Sequence, residues 1–243
     1  MAPATSWLLR ILYQPIFDIQ SARLIGFEAL SRDARPRPVG PEELFDEARS
    51  QGRLFELEMF ARRRAIEERP VCSEQCKLFI NVTPDILMDP GYQEGLTLQE
   101  LHAHGLPPQT VVLEISERFR VYEPRVLANV IVHYQRQGFS VALDDFGAGY
   151  ANLALLSEIE PHFLKLDRSL VKGIRHGVRK QWIVQAMVTF ASASGCQLIA
   201  EGIEDEDDLA WLQEAGVAYG QGYLLGRPAA PLDSVGAGHA TGR

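Results

Sequence analysis

Glu28, Asn81, Glu114, the adjacent pair Asp144 and Asp145, Lys165, Glu201 and Gln221 share one setting: each lies at, near or within the end of a short apolar run. Five of them are carboxylates and two, Asn81 and Gln221, are amides, with no His or Cys among them. Such hard oxygen donors favour Mg²⁺ or Mn²⁺ over zinc or copper. With two carboxylates side by side, one of Asp144 and Asp145 could bridge two ions while the other holds the second. Two ions about 3.5–4 Å apart activate a water and stabilise both the attacking and leaving oxygens of an in-line phosphoryl displacement. Lys165 would then orient the nucleophile or offset charge developing on phosphorus. Phosphodiester hydrolysis is the chemistry this set predicts. Gly147 and Gly149, which follow the Asp pair in DDFGAGY, give a connection able to close over a substrate, or else an ordinary turn. A single polar residue at a strand end is most often a solvated loop residue; a recurrent series of them points to one shared site.

The elements that must position these residues are legible in the same runs. Lys77–Val82, Thr110–Ile115, Phe139–Leu143, His162–Leu166, Gln197–Ala200 and Ala218–Leu225 are near-continuous apolar stretches separated by helical patterns. That alternation predicts a parallel sheet covered on its outer face. Helices are expected over Pro41–Gln51, Leu54–Glu68, Arg125–Gln137, Lys180–Ser194 and Asp205–Ala215, the last three ending at Gly138, Gly195 and Gly216. Leu12–Ile19 and Arg23–Leu30, joined around Gln20–Ala22, read as a hairpin, so one early strand runs antiparallel to the rest. The expected fold is therefore α/β, a modified TIM-like (β/α)8 barrel with an early antiparallel strand. In such a barrel the strand C-termini converge on one mouth.

A length of 243 residues suits a single barrel domain over 1–243, with a core at about 8–230 and a small, Gly-rich tail at 233–243 expected to fray. A net charge of −8 argues against a nucleic-acid polymer as partner, which needs Lys and Arg against its phosphates. It is compatible with a small phosphate substrate reached through divalent cations. The apolar stretch Trp7–Tyr13 is short and broken by Arg10, so no membrane segment is expected and the cytoplasm is the default setting. Cys72, Cys76 and Cys196 are an odd set, expected to be reduced thiols, with Cys196 a small core residue.

Other clusters read more plainly. His102 and His104 belong to an exposed helix C-terminus rather than a metal site. Arg62–Arg64 are flanked by Glu56, Glu58, Glu67 and Glu68, which predicts a solvated, ion-paired helix face. The acidic run Glu204–Asp208 falls at a helix start, where carboxylates complement the helix dipole.

These residues lie in segments that resemble one family. GFEAL at Gly26–Leu30 with Arg32, INVT at Ile80–Thr83, LEISE at Leu113–Glu117, DDFGAGY at Asp144–Tyr150, LKLD at Leu164–Asp167, AEGIE at Ala200–Glu204 and QGYLLGRP at Gln221–Pro228 are similar, in order, to the motifs of the EAL-domain family. The resemblance runs from Gln14 in YQPI to Pro228, and it implies a cyclic di-GMP phosphodiesterase or a receptor derived from one. By that resemblance Glu28, Asn81, Glu114 and Asp144 would hold one ion, and Asp144, Asp145 and Glu201 the second. Lys165 and Gln221 would position the attacking water, and Glu117 would anchor the loop starting at Asp144. Gln14, Leu30 and Arg32 would contact cyclic di-GMP, with Asp167 behind them. The implied reaction opens one ring phosphodiester to give linear pGpG, and the implied assembly is a homodimer.

The chain departs from the family pattern at Ala148 in place of Thr, at Ala151-Asn152 in place of Ser-Ser and at Asp33 in place of Trp. None of these removes a ligand. A receptor that binds without hydrolysis would be expected to lack a ligand, and a Schiff-base role for Lys165 in an aldolase-like barrel is disfavoured by so many carboxylates around it.

Overall fold

The computed structural model describes residues 7–73, 75–116, 124–148 and 153–231. Among them, eight strands close into a barrel in sequence order: β1 Leu9–Asp18, β2 Arg23–Asp33, β3 Lys77–Val82, β4 Val111–Ser116, β5 Ser140–Phe146, β6 Phe163–Leu166, β7 Gln197–Ala200 and β8 Tyr219–Gly220. β1 is antiparallel to both neighbours, β2 and β8, and every other pair is parallel. This is the expected modified barrel. The β1–β2 turn forms because the Asp18 carboxylate accepts from the Gln20 and Ser21 N–H groups, while Ala22 takes a positive φ of 54°.

The covering helices include α1 Pro41–Ser50, α2 Leu54–Glu67, α3 Leu96–Ala103, α4 Pro124–Arg136, α5 Leu153–Leu156, α6 Arg168–Val171, α7 Val178–Ser194 and α8 Glu206–Ala215. α7 and α8 end at Gly195 and Gly216 in the left-handed region, as their sequence punctuation predicts. Asp205 caps α8 by accepting from the Asp207 and Asp208 N–H groups, so the acidic run does serve the helix start. His104 follows the last turn of α3.

Three expectations are corrected. The run Ala218–Leu225 is strand only over Tyr219–Gly220; beyond it the chain packs so tightly that a Cβ on Gly222 would lie 2.1 Å from the Ile203 carbonyl oxygen. Gln221 therefore stands just past β8 rather than inside a strand. The Arg62–Arg64 face is not wholly solvated: Arg62 is buried, donates to Thr97 Oγ1 at 2.6 Å and lies 3.8 Å from buried Glu58. Helical periodicity explains this, because Glu58 and Arg62 share the stripe of Leu57, Ala61 and Ala65. Finally, Cys72 and Cys76 are not free thiols but are joined in a disulfide with a Cα–Cα distance of 6.0 Å, while Cys196 is free and buried. The two cysteines sit on one short connection between α2 and β3, close enough to bond.

Two apolar shells hold the barrel. Outward-facing strand residues such as Leu78, Leu113, Val141 and Leu164 join the helices in the larger core. Inside the barrel a smaller layer gathers Ile16, Phe79, Val112, Ala142, Phe163 and Ile199, with Ile25 and Tyr219 packed on it. The Phe79 and Phe163 rings meet edge to face at 5.3 Å. This inner layer is filled, so the barrel is a plugged core whose one end can carry a site. Phe79→Ala is expected to cost about 3–5 kcal/mol of unfolding free energy, read by urea denaturation; a loss below about 1 kcal/mol would mean that the layer is not close-packed.

Candidate active site

The pleat of a strand returns a side chain to the same face every second residue. Two positions beyond the inner apolar layer, each strand therefore presents one more inward residue, and here it is polar every time. Phe79 leads to Asn81, Val112 to Glu114, Ala142 to Asp144, Phe163 to Lys165, Ile199 to Glu201 and Tyr219 to Gln221. On β2 the same step leads from Gly26, where a Cβ would strike the Lys77 carbonyl at 2.4 Å, to Glu28. On β1, which runs the other way, Ile16 leads back to Gln14, and Gln14 pairs in register with Glu28.

At the centre of this ring is Lys165, fully buried. Its Nζ lies 2.6 Å from Glu114 Oε1, 2.8 Å from Glu201 Oε1, 3.1 Å from Asp144 Oδ1 and 3.4 Å from Glu28 Oε2. The Nζ–Glu114 Oε1 contact is the shortest of the four. Amides tie the ring further: Gln221 Nε2 donates to Glu28 Oε2 at 2.7 Å and to Gln14 Oε1 at 3.1 Å, and Asn81 Nδ2 lies 3.3 Å from both Glu28 and Glu114. Gln14 Nε2 is in turn anchored on the Gly226 carbonyl.

One ammonium does not neutralise this many acids. Burial, followed by the charge of Glu28, pushes Glu114 well above the ordinary carboxylate range. Burial also raises Glu201, against Lys165 and with Asp144 and Glu28. At Glu28 burial acts upward too, but Lys165 and the Gln221 and Asn81 amides outweigh it and hold the group low. Lys165, despite its burial, is held well above the ordinary lysine value by the four carboxylates. A site that raises its acids while keeping its lysine charged is short of positive charge.

The Asp pair gains its geometry from a β-bulge. β5 pairs Leu143 with Leu164 and Phe146 with Leu166, so Asp144 and Asp145 together oppose Lys165 alone. Alternation would aim adjacent side chains to opposite faces. The bulge, with Asp145 at φ 59°, breaks the alternation, and ligand oxygens of Asp144, Asp145 and Glu201 all lie within 4.8 Å of one another. Ser116 Oγ holds Asp145 from β4 at 2.9 Å. Beside the ring opens a cavity of about 220 Å³, walled by Leu30, Arg32, Pro41, Phe45, Glu58, Asn81, Thr83 and Asp145. A larger cavity, about 680 Å³, lies at the opposite end of the barrel near Lys77 and Thr110, without a carboxylate ring.

The sequence profile of the EAL domain matches residues 6–228 of this chain. The chain belongs to the EAL domain family. PdeN of Escherichia coli, named a probable cyclic di-GMP phosphodiesterase, is 32% identical over 232 residues, which cover 92% of this chain and 44% of PdeN. A standalone EAL protein of Vibrio cholerae with cyclic di-GMP bound superposes with a TM-score of 0.84 at 26% identity, over 94% of this chain and 95% of that one. BlrP1 of Klebsiella pneumoniae, in complex with manganese and cyclic di-GMP, gives a TM-score of 0.80 at 30% identity, over 94% of this chain and 57% of BlrP1. The chain spans about a third to under half of the length of the curated relatives at this level of identity. Among the described residues of this EAL domain, no helix is long and apolar enough to cross a membrane.

Leu30 and Arg32 reach the cavity beside the ring. Asp167 caps α6 by accepting from the Ser169 N–H at 2.8 Å. Glu117 lies outside the described residues, as do Gly149, Ala151 and Asn152. Asp33, at the position where the resemblance expects Trp, is buried and accepts from the Arg35 and Val39 N–H groups. Two further side chains stand at the candidate site without having been singled out in the sequence as part of it. Ser116 closes β4 beside Glu117 and supports Asp145; Glu58 walls the cavity and accepts from the Thr83 N–H at 3.2 Å. Their signals were period 2 along LEIS and the Glu58–Arg62 spacing of four inside an apolar stripe.

The donor set suits hard divalent cations: ligand oxygens of Asp144, Asp145 and Glu201 converge, and every one of them is a carboxylate oxygen. Glu58 offers a separate electrostatic test. Burial pushes its pKa up to about 7, against the pull of Arg62 and the Thr83 donors. Between the ordinary value of 4.5 and about 7 the folded chain binds a proton that the unfolded chain has released, so this contribution to stability falls as pH rises through that window. Glu58→Gln has no proton to lose. Relative to wild type it is expected to gain on the order of 3 kcal/mol between pH 4.5 and 7.5, measured by denaturant unfolding across pH; a pH-independent difference would contradict this.

Proposed function

We propose that this EAL domain hydrolyses cyclic di-GMP to linear pGpG with two Mg²⁺ or Mn²⁺ ions, by in-line attack of water on one ring phosphodiester. The observation that carries the reading is the ring of hard oxygen donors, one from nearly every strand, with two adjacent aspartates brought together by the β5 bulge. Glu28, Asn81, Glu114 and Asp144 would hold one ion, and Asp144, Asp145 and Glu201 the other. Bound there, the ions would supply an acidified water and stabilise charge on the attacking and leaving oxygens. Asn81 would serve by turning its amide oxygen inward, since oxygen and nitrogen of an amide exchange places by a half turn.

The chain's own residues do the rest. Lys165 Nζ, fixed by its carboxylates, orients the attacking water and offsets charge building on the phosphoryl oxygens. Gln221 holds Glu28 and Gln14 in place and presents its own buried carbonyl, Oε1, which no donor occupies, to the same water. Gln14, Leu30 and Arg32 contact the dinucleotide, with Arg32 toward a phosphate; Asp167 stiffens the base of α6 behind them. Glu117 is assigned to anchor the loop after β5. The inner apolar layer closes the barrel below and limits water to the mouth.

The same reading places the protein in the cytoplasm as a homodimer. Exposed apolar side chains on α4 and α7, among them Val132, Trp182 and Ile183, offer surface for self-association. Purified protein supplied with Mg²⁺ or Mn²⁺ is expected to convert cyclic di-GMP to pGpG, followed by chromatography of the products. Glu28→Ala is expected to lower kcat by a factor on the order of 10² or more, because it deletes a group that binds metal directly. Cyclic di-GMP binding without any metal-dependent turnover would make the chain a receptor instead.

A further inference from the structure

We propose that the Cys72–Cys76 disulfide is a redox modification site, reduced reversibly by a dithiol while the barrel stays folded. The bond lies on the connection between α2 and β3, at the end of the barrel opposite the carboxylate ring. Cys72 is exposed, whereas Cys76 is partly buried against the outer core. Both cysteines line the cavity of about 680 Å³. Arg69 and Lys77, which bracket the pair in sequence, line the same cavity, as does Glu67.

The exchange balances without further reactants. A thiolate of the dithiol attacks Sγ of Cys72, the more exposed of the two residues, the S–S bond breaks, and Cys76 leaves as a thiolate that takes up a proton. The second thiol of the reagent then attacks the mixed disulfide, forms the reagent's cyclic disulfide and releases Cys72 as a thiol. Two electrons and two protons pass to the protein, and a small-molecule disulfide reverses the step.

Stapling the fold is a poor account of this bond. It closes a ring of only five residues, and the entropy removed from the unfolded chain grows with ring length. The ends of the connection are already held, by α2 on one side and by the β2–β3 ladder starting at Gly26 and Lys77 on the other. A bond with one exposed cysteine, lining an open cavity, is accessible to attack, unlike the resistant disulfides of secreted domains. In the cytoplasm, where the proposed function places the protein, persistent disulfides are rare and those that form are usually redox-responsive. Cys196 does not compete as a partner, since it is buried and burial pushes its thiol up to about 11.

The test uses the intact protein and needs no cyclic di-GMP, so its outcome is separate from that of the hydrolysis assay. The native chain is treated with a maleimide before and after millimolar dithiothreitol, then analysed by peptide mass, with circular dichroism followed in parallel. The expected result is no labelling before reduction and labelling of both Cys72 and Cys76 after it. Cys196 stays unlabelled and the helical signal is unchanged. Re-oxidation by oxidised glutathione should restore protection. The Cys72→Ser, Cys76→Ser double variant should fold with a Tm within a few degrees of wild type. Labelling of Cys72 before reduction would overturn the proposal, as would resistance to dithiol until the barrel unfolds, or failure of the double variant to fold.

Discussion

Four carboxylates meet one ammonium inside the barrel mouth, and much of the molecule's arrangement follows from keeping them there. Each of the four contacting oxygens lies within 3.4 Å of Lys165 Nζ, so they lie within about 7 Å of one another. Four attractions to the ammonium are set against six repulsions among the acids, and burial penalises every charge present. The raised acids Glu114 and Glu201 express that imbalance. A hydrophobic replacement would relieve it, which is why a cluster of this kind is poor evidence for stability and good evidence for a site that takes up cations.

Holding such a cluster requires a rigid frame. The inner layer of Ile16, Phe79, Val112, Ala142, Phe163 and Ile199 supplies it, because a filled layer fixes the strand pleat and the pleat fixes the residue two positions on. The reversed β1 fits the same scheme, with Gln14 reaching the ring from the opposite chain direction. The β5 bulge departs from regular pleating at Asp144 and Asp145, where alternation would have separated the two carboxylates. Support comes from neighbouring strands through Ser116 and Gln221.

Much of this frame could be read from residue order. Apolar runs ending in Glu28, Asn81, Glu114, Asp144, Lys165 and Glu201 already imply strands whose ends converge, and Gln20–Ala22 marks the hairpin. Other features escaped for physical reasons. A bulge adds one residue without changing the apolar pattern, so the DD pair shows adjacency but not the splay that makes it useful. Charged residues at helical spacing look solvated until the stripe they share with Leu57 and Ala61 is recognised, which hid the burial of Glu58 and Arg62. The Cys72–Cys76 bond depends on a turn between two elements and not on either element's pattern. Gln14 entered the site reading through family resemblance alone, since a Gln in an antiparallel strand carries no signal of facing inward.

The central claim is that the acidic ring is a two-cation site whose ions share Asp144. Equilibrium dialysis against Mn²⁺, with bound metal counted per chain, tests it most directly. The account predicts two Mn²⁺ per wild-type chain and one per chain of Asp145→Asn, because that substitution removes a ligand from only one of the two positions. One Mn²⁺ or none on the wild-type chain, or an unchanged count in Asp145→Asn, would contradict it.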